Sequence, residues 1–226
     1  MKARRSSRTR SVRLPQPAFR RARALLRTMQ SRQTVRAFSD RELAPQTLSD
    51  LLWAAFGINR RRGPFGSFGR TAASASNSQE IDIYVSTAVG TYLYDPTRHG
   101  LKAVSPRDLR TLAISRGQSP SDQGAAAPVR LVYVADIDRL VHTSGFQEPG
   151  LHDPEVQRAY YYVDTGLIAA NVYMFAAASG LAAWFHNCDR NAFAAALPLR
   201  STQRVLFAQT VGYPAAPFRT RPAQRC

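Results

Sequence analysis

The sequence predicts an α+β fold, a mostly antiparallel sheet flanked by helices and built as one domain. Three observations carry this. Apolar residues recur at helical spacing before residue 57 and alternate strictly after residue 80; the first strand-like runs follow one another through tight turns; and one long Ala-rich helix separates them from the closing strands. At 226 residues, 44% of them hydrophobic, the chain is long enough to bury one core, and it contains no linker that would divide it. There are no internal repeats.

Ala22, Leu25, Leu26 and Met29 fall at helical spacing, which predicts a helix over about Ala18–Gln30 that delivers Ser31 to Arg36 at its C-terminal end. The next helix spans about Pro45–Phe56, with proline at its first position, Leu48, Leu51, Leu52 and Ala55 on one face, and Gly57 as its stop. From Glu80 the period becomes two: Ile81, Ile83 and Val85 form one face of a strand, and Gly90 turns the chain into Thr91–Tyr94, a β-hairpin. Asp95–Gly100 reads as a turn and Leu101–Val104 as a third strand. Ser105-Pro106-Arg107-Asp108 offers a cap, an N1 proline and an early acid, predicting a helix that ends at Gly117. Val129–Ala135 is apolar enough for a central strand. Asp153-Pro154-Glu155 opens the longest helix, Pro154–Ser179, with Gly180 placed to end it. A strand at Leu181–His186, a short helix at Arg190–Leu197 and a strand at Arg204–Val211 complete the reading.

Two polar stretches carry the chemistry. In Ser31–Phe38 the residues Arg32, Thr34 and Arg36 occupy alternate positions after a helix, so that two guanidinium forks and a hydroxyl can converge on one phosphate. The other reading is of surface charges that favour the helix dipole. In Gly69–Glu80 a run of small and amide residues leads into the alternating strand, so its backbone can lie close to a flat, hydrogen-bonding ligand. As a mere loop the same run is rich in turn residues.

Together these stretches resemble the FMN cradle of the nitroreductase family. The likeness runs from about Thr28 to Pro214 in the family's order: arginine turn, Leu51–Gly57 helix, Ser-Ala-x-Asn-x-Gln loop, Ala-rich helix, closing strand Val205–Pro214. Within the family the chain is most similar to the branch of SagB-type and thiazoline-oxidase-type flavoproteins, through Gly57-Ile58-Asn59-Arg60 and Gln79–Val85. The resemblance implies a nitroreductase-like α+β fold that forms a homodimer with each flavin at the subunit interface. It implies that Arg32, Thr34 and Arg36, with Gln33 beside them, bind the phosphate and ribityl chain, and that Ser74, Ala75 and Asn77 line the ring. It places Phe185 and His186 on the strand beneath the flavin and returns Arg219 and Arg221 to the phosphate, although a basic tail explains those two equally well. His186 is read either as a proton donor or as a satisfied structural histidine.

The chain departs from the family at several points. Ala73 stands where a proline usually precedes the loop, His186 and Asn187 replace glycines, and the connection Arg60–Gly69 is longer than usual. Glycines 63, 66 and 69 do not have dinucleotide-fingerprint spacing. Tyr160, Tyr161 and Tyr162 cannot share one helix face and read as packing or interface residues.

Charge is concentrated at one end. Of 31 Lys and Arg, 12 lie in residues 1–36 with no Asp or Glu, which leaves 19 to face all 15 acids in the rest. Residues 1–13 therefore read as a disordered basic arm and 14–226 as one FMN-binding domain. Nucleic acid is expected as a partner only through that arm. No apolar h-region follows Arg4-Arg5, so no secretory signal is expected. Two cysteines without a Cys-x-x-Cys imply neither metal cage nor disulfide framework and fit a reducing, cytoplasmic setting. Leu167–Phe185 approaches membrane length, but Asn171, Ser179 and Gly180 interrupt it, so a buried helix running into a strand is expected and no membrane span.

The expected activity is FMN-dependent reduction of nitroaromatics, quinones or similar electron-poor acceptors, with NAD(P)H as co-substrate and the hydride chemistry at flavin N5, so that no side chain is assigned as catalytic. The alternatives are an FMN-dependent dehydrogenase that oxidises a substrate such as a peptide-borne azoline, and a flavin-free basic relative that binds nucleic acid.

Overall fold

The alternating runs pair as their pattern requires. In the computed structural model, which describes residues 22–115, 127–144 and 152–216, β3 (Ile81–Thr87) turns at Gly90, φ +154°, into β4 (Gly90–Asp95), and β4 pairs with β5 (Gly100–Ser105). With β6 (Val129–Asp136), β7 (Ala182–His186) and β8 (Gln203–Gly212) they form a six-stranded sheet of order β5-β4-β3-β6-β8-β7, and every neighbouring pair is antiparallel. The predicted mostly antiparallel α+β architecture is the observed one.

Period two then divides the core between two faces. Ile81, Ile83 and Val85 with Leu131 and Tyr133 face α2 (Pro45–Phe56) and α4 (Pro154–Ala178). Tyr84, Val132, Val134 and Ala208 face the other way, where Leu109, Ala113, Cys188 and Phe193 of α5 (Arg190–Ala195) cover them. β6 is buried along its whole length, as a central strand should be. A register shift between Tyr133 and Val134 leaves Leu206 without a partner on β6. The Arg190 guanidinium takes the Leu206 carbonyl at 2.7 Å.

α2 has its predicted bounds, with Pro45 at the start. α4 begins where Asp153 accepts the Glu155 N–H at 2.8 Å and ends before Gly180, φ +68°. Three expectations are corrected or completed. The first helix, α1, spans Arg23–Ser31, because Ala22 is left-handed at φ +54°; its predicted start at Ala18 lies outside the described residues. The helix expected after Ser105 does not form over the described residues 106–115, which run as bends and turns. There the Asp108 carboxylate takes the Arg110 N–H and guanidinium instead of capping a helix, and the buried Arg130 guanidinium donates to the Arg110 carbonyl. Side-chain competition for backbone groups has won over the proline and cap signals. The long 60–69 connection proves to be a small antiparallel hairpin, β1 (Ile58–Arg60) with β2 (Gly69–Arg70).

The segment after α1 closes the sheet's edge at β7. Val35 N–H donates to Ala183 O at 3.0 Å, Ser39 N–H to Tyr213 O at 2.9 Å, and Ala215 N–H to Ala37 O at 3.0 Å. Among the described residues no helix is long and apolar enough to cross a membrane. α3 (Ile137–Val141) leads off β6.

Candidate cofactor-binding site

The arginine turn is fixed at its centre and exposed at its side chains. Val35 anchors it to β7, while Arg32, Gln33, Thr34 and Arg36 remain exposed. Helix α4 supplies the second support: the Tyr173 hydroxyl accepts the Phe185 N–H at 2.8 Å and meets Thr34 Oγ1 at 3.2 Å. Arg32 lies over the Tyr173 ring at 5.5 Å and Arg36 over Trp184 at 5.6 Å. Neither guanidinium is ion-paired among the described residues. Two uncompensated forks and a hydroxyl on one rigid turn suit a phosphate dianion.

The second stretch is bound to the other half of α4. Ala75 N–H donates to Asp164 Oδ2 at 2.8 Å, and Ser74 Oγ accepts the Gln79 N–H at 3.0 Å. Ser76, Asn77 and Gln79 all have positive φ, between 47° and 57°. Such a run of left-handed non-glycine residues persists only where its surroundings hold it. The hairpin does so. Asn77 Nδ2 donates to Ser67 Oγ at 2.7 Å and Phe68 O at 3.1 Å, Gln79 Nε2 to Phe68 O at 2.6 Å and Asn77 Oδ1 at 3.0 Å, and Arg70 Nε to Gln79 Oε1 at 2.5 Å. Burial lowers the Arg70 pKa to about 10.

Beneath the loop lies a pair of acids. Glu80 is fully buried and Asp164 nearly so. Burial, with the Asp164 charge added, raises Glu80 to about 7, and burial raises Asp164 too. Burial thus favours a proton on the pair, while Asp164 Oδ2 accepts the Ala75 N–H.

Residues 29–213 match the model of the nitroreductase family. The chain belongs to the nitroreductase family. A Methanocaldococcus jannaschii protein described as a nitroreductase is 27% identical over 157 residues, 66% of this chain and 71% of that one. A Ralstonia eutropha crystal structure, also described as a nitroreductase, superposes with a TM-score of 0.71 at 31% identity, covering 90% of this chain and 89% of the other. A chain of the Escherichia coli microcin synthetase McbBCD complex with truncated pro-MccB17 bound has the same fold, with a TM-score of 0.70, 18% identity and coverage of 94% and 77%.

Within this nitroreductase-family chain, Arg32, Thr34 and Phe185 are brought together through Tyr173 and Arg36 lies over Trp184, whereas of the loop residues Ala75 bonds Asp164, Ser74 bonds Gln79 and Asn77 bonds the hairpin. The two groups are nine residues apart along α4, about 13 Å at helical rise. No hydrogen bond among the described residues joins them directly. Asn77 spends its amide on the hairpin. His186 lies on the opposite face of β7 from Phe185. It is buried, with Nδ1 at 2.8 Å from Asn187 O and Nε2 at 2.8 Å from Thr210 Oγ1, and burial pulls its pKa down to about 4. Phe185 belongs to an aromatic cluster with Phe207 and Tyr133. Arg219 and Arg221 lie outside the described residues.

Sequence reasoning did not single out Tyr173, Asp164 or Glu80. One signal was available: Asp164 falls on the face of α4 that carries Tyr161, Ile168 and Val172 into the core, and an acid in an apolar register marks a buried, perturbed carboxyl.

Proposed function

We propose that this chain is an FMN-dependent oxidoreductase that reduces nitroaromatics, quinones or related electron-poor acceptors at the expense of NAD(P)H. The observation that carries the reading is the arginine turn, anchored to β7 by the Val35 N–H, with two exposed guanidinia that form no ion pair among the described residues and the Thr34 hydroxyl held by Tyr173. Arg32 and Arg36 would hold the phosphate, with Thr34 and Gln33 beside it. FMN held there would supply a two-electron hydride carrier between the nicotinamide and the acceptor. Tyr173 keeps the turn against β7, so the guanidinia are oriented before the ligand arrives. Ser74 and Ala75 present the ring-side backbone, fixed by Asp164 and by the amide of Asn77.

A homodimer is part of the proposal. Val163 and Leu167 on α4, 59% and 42% exposed, align with exposed Gly166 and Ala170, and Leu25 and Met29 of the adjoining α1 are 51% and 53% exposed. An apolar stripe of this kind fits a second copy.

The test is a visible spectrum of the purified protein, followed by anaerobic addition of NADPH and then NADH. A flavin spectrum that bleaches with either nicotinamide is expected; a colourless protein that takes up no added FMN would overturn the proposal. The fold shared with a chain of the microcin synthetase complex supports a second reading, oxidation of a substrate such as a peptide-borne azoline. Flavin bleached by such a peptide and by neither nicotinamide would favour it.

A further inference from the structure

Residues 51–79 contain Arg60, Arg61, Arg62 and Arg70 and no acid. Arg70 is turned inward onto Gln79 and the Phe56 carbonyl at 3.3 Å, but Arg60, Arg61 and Arg62 are exposed at the end of β1. Arg60 donates to the neighbouring Asn59 side chain at 2.9 Å, and no carboxylate pairs with any of the three among the described residues. Aromatic surface accompanies them: Phe65 is 59% and Phe68 42% exposed. This hairpin is the element that hydrogen-bonds the Asn77 and Gln79 side chains, so its charge is carried against the ring-side loop.

Between the hairpin, the loop and α3 lies an open cleft of about 380 Å³, lined by Phe65, Ser67, Ser76, Asn77 and Arg139. That volume suits a single aromatic ring with substituents. Phe65, Ser76 and Asn77 all meet it with left-handed backbone, φ 56°, 47° and 57°. The acid at its rim, Asp138, stands 3.1 Å from His142, and Arg139 pairs with Asp82 at 2.7 Å while its buried Nε finds no hydrogen-bond partner among the described residues. The cleft therefore offers an aromatic wall and hydroxyl groups with its own charges paired, and the uncompensated positive charge of this region lies on Arg60, Arg61 and Arg62 of the hairpin.

Resting on the oxidoreductase reading, we propose that the hairpin Ile58–Arg70 is a specificity arm that draws negatively charged aromatic acceptors into the cleft beside the ring-side loop. Charges within about a Debye length raise the local concentration of an anion, and low-dielectric walls strengthen the effect. Phe65 supplies the stacking face.

The test is equilibrium dialysis of the full-length chain against 4-nitrobenzoate and its neutral isostere 4-nitrobenzamide. The wild-type chain is expected to prefer the carboxylate by about fivefold at low ionic strength, and the preference is expected to fall toward one in about 0.5 M salt. Arg61→Ser combined with Arg62→Ser should remove most of it, and Phe65→Ala should weaken both ligands. The basic N-terminal residues are the same in every protein compared, so they cancel. An unchanged ratio in the double variant, or no binding of either ligand, overturns the inference. Uptake of reducible FMN without discrimination sinks the arm and leaves the oxidoreductase; discrimination without FMN uptake does the reverse.

Discussion

Asp164, in the middle of the longest helix, accepts the backbone N–H of Ala75 at 2.8 Å across 89 positions of sequence. That bond joins the core helix to the loop proposed to face the flavin ring, and the charge of the same carboxylate acts on the buried Glu80. Protonation of the acid pair and the shape of the loop are therefore linked.

Two buried groups set opposing pH slopes on stability. Glu80, raised to about 7, binds a proton in the folded chain that the unfolded chain releases near pH 4.5, so its contribution is lost as pH rises between those values. His186, lowered to about 4, stays neutral in the fold while the unfolded imidazole protonates below about 6.5, so its contribution is lost as pH falls. Wild type should show a shallow dependence between pH 5 and 7. Glu80→Gln should expose the histidine's slope, with urea midpoints rising over that interval; a flat profile in the variant would remove the assignment.

Arg32→Ala should weaken FMN binding by about tenfold to a hundredfold, the range for one charge-assisted hydrogen bond. Quenching of flavin fluorescence on titration reads this directly. Unchanged affinity would show that the turn does not hold the phosphate.

Tyr173→Phe leaves the Phe185 N–H without its acceptor and removes the Thr34 contact. A loss of about 1–2 kcal/mol in stability is expected, with weaker FMN binding as well. Thr34→Val, which leaves the Phe185 bond intact, should cost less in Tm. Equal costs would place the role of Tyr173 elsewhere.

Arg130 is 1% exposed, and burial lowers its pKa to about 10. Arg130→Met retains the bulk but leaves the Arg110 carbonyl without its donor. We expect about 3 kcal/mol of destabilisation in denaturant titrations and faster proteolysis near residues 106–115. A neutral effect would mean that Leu109, Ala113 and the Asp108–Arg110 bonds suffice to hold this turn.

The architecture was legible because its signals were local and agreed with one another. Pro45, Asp153 and Gly180 mark helix ends, and the alternation of Ile81, Ile83 and Val85 marks the strand. The misread helix after Ser105 shows where that agreement fails, since Asp108 and Arg110 bond to each other and Arg130, 20 residues on, takes a carbonyl. The polar stretches around Arg32 and Asn77 were legible as chemistry. Two of their supports, Tyr173 and Asp164, lie far away in sequence, and only Asp164 left a trace, an acid in the apolar register of α4; Glu80 adjoins the loop, but its burial is set by the fold. The destination of the Asn77 amide was likewise invisible, because it depends on how the hairpin folds back.

The three backbone bonds that tie residues 35–39 to Ala183, Tyr213 and Ala215 impose an order on biogenesis. Residues 35–39 find their partners only after the chain through Ala215 has been made, a closure of high contact order. Until then the arginine turn has no platform, and the edge of β7 is open to other strands. The proposed capacity to take up cofactor should thus arise late and all at once, and cofactor retained by a newly made molecule would certify that residues 35–39 have met β7 and residues 213–215.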